Sequence, residues 1–160
     1  MSANGPVAAD QGRRVVRALL QRVSQASVRV EGEETGAIDR GLLVLLGLDK
    51  GDDAGTAERM LEKLLAYRIF PDAEGRMNCS VVDIDGGVLL VSQFTLSADT
   101  RKGLRPSFSS AMPPDEARVL YDYTLAALAG RHREVAAGVF GAHMEVSLTN
   151  DGPVTFLLES

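Results

Sequence analysis

Apolar and polar residues follow one another along this chain with two different periods, and the switch between them lays out its elements. Residues 15–23 form a run apolar enough for a buried strand. Residues 26–31 alternate, with Ala26, Val28 and Val30 on one face and Ser27, Arg29 and Glu31 on the other. Residues 33–36 read as a turn, and 42–46 as a strand buried on both faces. From Asp52 and Asp53 the period lengthens to that of a helix. Ala57, Met60, Leu61, Leu64 and Leu65 share its inner face, with the acidic pair near its positive end. After a polar turn at 72–76, residues 81–84 and 87–91 are predicted to be the arms of a hairpin across Asp85-Gly86, the second arm running on to Leu96. Residues 97–112 are polar and show no period, a length of loop that in a compact domain often carries function. Pro113, Pro114, Asp115 and Glu116 open a second helix. Val119, Leu120, Tyr123, Ala127 and Leu128 are its expected buried residues, and Gly130 its expected end. Extended segments at 135–140, 144–148 and 154–158 complete the chain. Between the last two stand Asn150, Asp151, Gly152 and Pro153, whose local chemistry suits either a hairpin turn or a rigid backbone wedge presented to a ligand.

About eight short strands with two helices and hairpin-length links make an α+β domain with a largely antiparallel sheet. Strands and helices do not alternate regularly, which argues against a doubly wound sheet. At 160 residues one domain is the simplest organisation. Residues 1–16, with Gly5-Pro6 and no period, are expected to be a disordered N-terminal extension to a single domain spanning 17–160. No apolar run approaches the roughly 20 residues that span a bilayer, and residues 1–16 lack the apolar core of a signal peptide. The single cysteine, Cys79, excludes an internal disulfide and fits a reducing cytoplasm, the expected location. A net charge of −5 gives no support to broad nucleic-acid binding. A polyanion would need a local basic patch such as Arg101, Lys102 and Arg105, which otherwise is a solvated loop.

The chain is poor in recognisable catalytic side chains. His132, His143 and Cys79 have no metal-ligand spacing, so no metal is expected, and no glycine-rich nucleotide loop calls for a cofactor. Ser92 and Thr95 lie outside any nucleophile elbow. His132 reads as a solvated helix cap and His143 as a surface residue at a strand end, neither marked as their base. Cys79 reads as a small apolar residue. What remains is the strand end Ser92-Gln93-Phe94-Thr95, either an ordinary terminus or one whose free backbone N–H groups receive a carbonyl oxygen.

That segment, continued by Leu96, and Asn150-Asp151-Gly152-Pro153-Val154-Thr155 together resemble the paired signature of D-aminoacyl-tRNA deacylases, the D-tyrosyl-tRNA deacylase family. Further family-like text includes Tyr67-Arg68-Ile69-Phe70 and Arg105-Pro106-Ser107-Phe108, and the likeness covers residues 17–160. The resemblance implies a homodimer of partly open α+β barrels with two packed helices and cross-subunit active sites. It implies hydrolysis of the ester of D-aminoacyl-tRNA, or of glycyl-tRNA mischarged on the alanine tRNA, without cofactor, membrane or DNA. Gly152 and Pro153 would be a Gly-cisPro filter excluding the L side chain, oriented by Arg22. Ser92, Gln93, Phe94 and Thr95 would position the ester, Thr95 included, while the tRNA 2′-hydroxyl activates water. Phe140 and Met144 match positions used around the terminal adenine, with core packing as their alternative, and Arg101, Lys102 and Arg105 gain weight as phosphate contacts. Asp151 holds a variable position and carries no assignment. The alternative function is a non-catalytic dimer of the same fold that binds RNA or a small molecule.

Overall fold

The computed structural model describes residues 16–160. The expected extension, 1–16, lies outside them except for Val16, which is buried and whose carbonyl accepts from the Ser160 amide at 3.2 Å.

One long antiparallel hairpin organises the sheet. Strand β1 (Arg17–Val30) takes up both apolar runs predicted as separate strands and turns at Glu31 and Gly32, both at positive φ, as a two-residue hairpin loop requires. The chain returns as β2 (Glu33–Ile38), where a turn was expected, and as β3 (Gly41–Gly47). Both pair along one edge of β1 in nearly continuous register, with Ala26 opposite Ile38 and Val23 opposite Gly41.

Helix α1 (Ala54–Ala66) follows. Its N-cap is Asp53, whose side chain accepts from Thr56 N while Thr56 Oγ1 accepts from Asp53 N, a reciprocal capping box. All five residues expected on its inner face are buried. A small ribbon of β4 (Phe70–Pro71) and β5 (Met77–Cys79) leads on, with Cys79 half-buried against the core.

The predicted hairpin at 81–91 does not form. Ser80 and Asp83 exchange backbone and side-chain hydrogen bonds at 2.8 and 3.1 Å and close a turn over 81–85. Strand β6 (Gly87–Ser92) instead runs parallel to β3, its partner far away in sequence. The chain then leaves the sheet as a 3-10 turn (Phe94–Ser97) rather than extending β6 to Leu96.

Helix α2 (Pro114–Arg131) packs against α1. It buries Ala117, Leu120, Tyr121, Thr124 and Leu128, whereas Val119 and Tyr123, expected inside, face out. It passes Gly130 and is capped by His132, which is buried rather than solvated, its Nε2 2.7 Å from the Gly86 carbonyl. Strand β7 (Val135–Ala137), shorter than predicted, joins β6 in parallel. The last strand, β8 (Glu145–Glu159), is one element pairing antiparallel with the whole of β1, not two strands joined by a turn.

The sheet is mixed, with antiparallel ladders on β1 and parallel ladders on β6. It rolls until β7 lies beside β2. A Cβ built on Gly36 would come within 2.5 Å of the Ala137 carbonyl, yet no ladder joins these strands among the described residues. The result is an α+β barrel with one unsealed seam, flanked by the two helices. Alternation divides the core: Leu42, Val44, Val88 and Leu90 pack toward the helices, while Leu43, Leu89 and Val91 join Val23 and Val28 in a second cluster. Each of these large side chains contributes about 1.5–3 kcal/mol by leaving water. Among the described residues no helix is long and apolar enough to cross a membrane.

Candidate functional site

The parallel ladder puts the ends of β3 and β6 at one level, with Leu46 opposite Ser92. Gln93 N then donates to the Leu46 carbonyl at 2.7 Å, holding the chain where it turns into the 3-10 segment. The first two N–H groups of that segment, on Phe94 and Thr95, have no carbonyl behind them within it. Above this rim is a cavity of about 430 Å³ lined by Ser92, Gln93 and Phe94 on one side and by Met112, Ala117 and Phe140 on the other. Its lining carries no charged side chain among the described residues.

Residues 97–112 are more ordered than their polarity suggests. Asp99 and Ser107 exchange backbone hydrogen bonds at 2.7 and 3.0 Å, and Met112 N donates to Leu48 O at 3.0 Å. Phe108, returned to the rim by this loop, sits 5.1 Å from Phe94, ring to ring, with Phe94 largely and Phe108 partly exposed. Thr95 is also exposed, and its Oγ1 accepts a hydrogen bond from Gln93 Nε2. Arg101, Lys102 and Arg105 are all exposed on this loop. The Arg101 guanidinium is 3.0 Å from Asp99, whose carboxyl it holds down to a pKa of about 2.

Phe140 and Met144 are separated. Phe140 lines the cavity, 5.7 Å from the Tyr121 ring, with the Arg118 guanidinium 4.9 Å above its centroid. Tyr121 Oη donates to the Leu90 carbonyl at 3.0 Å, and burial pushes its pKa to about 12. Met144 is not among the lining residues; it packs against the second core cluster, its sulfur close to Gly138.

The second predicted cluster forms midway along β1 and β8. Along β1 and β8, Gln21 faces Thr155 and Val23 faces Asn150, so Arg22 has no partner in β8 and residues 151–154 bulge outward. The Asn150 side chain closes the bulge by donating to Val154 O at 3.1 Å and accepting from Val154 N at 2.7 Å. Gly152 sits at φ +151, a backbone region in which a side chain is strained, and the Gly152–Pro153 peptide is cis. Arg22, largely buried, donates from Nε to Asp151 O at 2.9 Å and from Nη1 to Ile69 O at 2.7 Å. Gly152 and Pro153 are exposed. Arg22 lies opposite Leu42 and the cavity begins at Leu46, four residues or about 13 Å along β3. Within one protomer, the bulge and the cavity are therefore separate.

The chain as a whole matches a known family. The family model described as D-Tyr-tRNA(Tyr) deacylase matches residues 19–159. The chain belongs to that family. A D-aminoacyl-tRNA deacylase of Stutzerimonas stutzeri is 61% identical over 145 residues, which is 91% of this chain and 100% of that protein. One from Cellvibrio japonicus is 59% identical over 141 residues, 88% of this chain and 97% of its own. Among solved structures, the c-Myc DNA unwinding element binding protein superposes with a TM-score of 0.87 at 44% identity, covering 90% of this chain and 98% of that one. A structure described as a probable eukaryotic D-amino acid tRNA deacylase shares the fold, with a TM-score of 0.77 at 19% identity over 91% of this chain and 100% of its own.

Within this deacylase-family fold, sequence reasoning missed Met112, Ala117 and Phe108 at the cavity. The flag available was the aperiodic stretch 97–112, which delivers two of them. Among the described residues no group of three or more His, Cys, Asp or Glu could hold a metal ion.

Proposed function

We propose that the chain hydrolyses the ester of D-aminoacyl-tRNA in the cavity at the end of β6 and rejects the L-form with the Gly152–Pro153 bulge of a second copy. Family membership over nearly the whole chain carries the deacylase reading. The terminal adenosine enters the apolar cavity, and its ester carbonyl points at the Phe94 and Thr95 amides. Water attacks the carbonyl carbon, the oxyanion takes hydrogen bonds from those amides, and the carbon–oxygen bond to the ribose breaks. The departing ribose oxygen takes up a proton, leaving a free amino acid and a deacylated tRNA. The tRNA 2′-hydroxyl activates the water, a role for which the cavity offers no charged side chain. Ser92, Gln93 and Thr95 position the ester.

The filter reading is supported by the exposed backbone of the bulge, by its anchoring through Arg22, and by its separation from the cavity in one protomer. A homodimer with cross-subunit sites unites the two, and the carbonyls of the bulge then occupy the space an L side chain would need. Glycyl-tRNA, with no side chain to exclude, is also a substrate. The cytoplasm, where aminoacyl-tRNA is made, is the place of action. Phe140 contributes to the adenosine site, and Met144 supports it from the core.

The deciding experiment is a paired assay of one tRNA charged with the D- and the L-amino acid, with no metal added. Release of the D-form alone is expected, and equal release of both would refute the filter. A second reading, binding of nucleic acid without catalysis, draws on the name of the DNA-binding structural relative. It predicts retention of charged tRNA with no ester loss in the same assay.

A further inference from the structure

We infer that Arg118 is a substrate-positioning residue that receives the phosphate 5′ to the terminal adenosine at the rim of the cavity. The inference rests on the deacylase reading above. The uncharged lining suits a base and a ribose, but a phosphate drawn into it would lose its hydration without an ion partner. The phosphate must therefore stay at the rim.

Arg118 is a cation held at that rim. It follows the lining residue Ala117 on α2, and its guanidinium lies 4.9 Å over the ring of the lining residue Phe140. A Cβ on Gly141, also lining, would be 3.4 Å from its Nη2. Asp115 and Asp122 stand three residues before and four after it on the same helix, the spacings at which a helical ion pair forms. Arg118 forms no ion pair with either among the described residues and lies against the ring instead. Its N–H fork thus remains available for two oxygens of one phosphate, the geometry in which arginine exceeds lysine. Arg101, by contrast, already spends its fork on Asp99.

The test compares two substrates and one ligand pair. Steady-state hydrolysis of D-aminoacyl-tRNA and of D-aminoacyl-adenosine, which lacks the phosphate, is measured for the full-length wild type, Arg118→Ala and Arg118→Lys. Arg118→Ala should raise KM for the tRNA substrate about tenfold, the scale of a lost charge-assisted contact, with kcat within about twofold. Its kinetics on D-aminoacyl-adenosine should be unchanged, and Arg118→Lys should restore part of the loss. Binding of a non-hydrolysable D-aminoacyl-aminoadenosine with and without a 5′-phosphate gives a second readout, and the gain from the phosphate should vanish in Arg118→Ala. Equal losses on both substrates would make Arg118 merely a packing partner of Phe140 and overturn the inference, as would an unchanged KM for the tRNA. A wild type inactive on D-aminoacyl-tRNA would refute the deacylase reading itself, an outcome distinct from either.

Discussion

Arg22 ties the bulge of β8 to the chain entering β4, donating to the carbonyl of Asp151 at 2.9 Å and to that of Ile69 at 2.7 Å. Two acceptors on separate segments thereby depend on one guanidinium. Arg22→Ala should cost about 2 kcal/mol of stability, because partly buried carbonyls lose their donor. It should also lower the preference for D- over L-aminoacyl-tRNA at least tenfold, as the bulge loses its orientation. Arg22→Lys, with a single nitrogen, should fall between. Urea denaturation and the paired assay measure the two effects, and an unaltered preference would separate Arg22 from the filter.

Thr95 carries the most exposed hydroxyl of the 92–95 segment, and it accepts from Gln93. Under the proposed function it only positions the ester, and so is replaceable. Thr95→Ala should keep kcat within about tenfold of wild type, whereas loss of a true nucleophile costs several powers of ten. A variant that binds tRNA normally but no longer turns over would return the chemistry to the side chain.

The three cations of the 97–112 loop are not equivalent. Arg101 is engaged with Asp99, while Lys102 and Arg105 extend into solvent. Replacing Lys102 and Arg105 together by Ala should lower the slope of log affinity for tRNA against log salt by about 1–2, and Arg101→Ala should lower it less. Filter binding between low and moderate salt reads the slope directly. Identical slopes would leave the loop a solvated one.

Asp52, buried at the entrance to α1, accepts from Asp49 N with Oδ2 at 2.7 Å, and its Oδ1 has no partner among the described residues. Burial first, and then the neighbouring Asp49 and Asp53 charges, raise its pKa from 3.8 to about 6 against the pull of its hydrogen bonds. The folded chain therefore holds this proton more tightly than the unfolded one. Its contribution to stability is complete below pH 3.8 and is lost as the pH rises through about 6. Asp52→Asn should gain on the wild type progressively across that window, as urea midpoints at several pH values would show. Parallel curves would mean that Asp52 titrates normally.

Local pattern was enough where neighbours in sequence decide the structure. The inner face of α1 follows from Ala57, Met60, Leu61, Leu64 and Leu65 because helical spacing and a strong cap agree. It misled in α2, where the buried positions include Ala117 and Thr124, small or polar residues that no apolar stripe announces, while Val119 and Tyr123 look outward. Val81 is fully buried without being in a strand, because the Ser80–Asp83 exchange folds it into a turn. The partner of β6 is β3, forty-odd residues upstream and parallel, and no turn signal can encode that.

The site shows the same division. The segment 92–95 was legible because a strand end has a recognisable composition, and the Gly-Pro step because it breaks a strand pattern. Whether that step reverses the chain or bulges from it was not legible, since both use the same residues. The Asn150 side chain, bonded to both backbone groups of Val154, is what keeps β8 running through. Arg118 escaped notice because its setting comes from Phe140, twenty-two positions away.

The register of β8 makes its bulge separable from the sheet. From Gln21 to Gln25 four steps along β1 are matched by six along β8, from Thr155 back to Thr149. The excess is two residues, one full period of the pleat, so the same side chains face inward on either side of it. An odd excess would have turned half of β8 inside out. Excising Gly152 and Pro153 as a pair would thus leave the ladder in phase while cutting away the projection, so that the barrel and the device it carries can be taken apart independently.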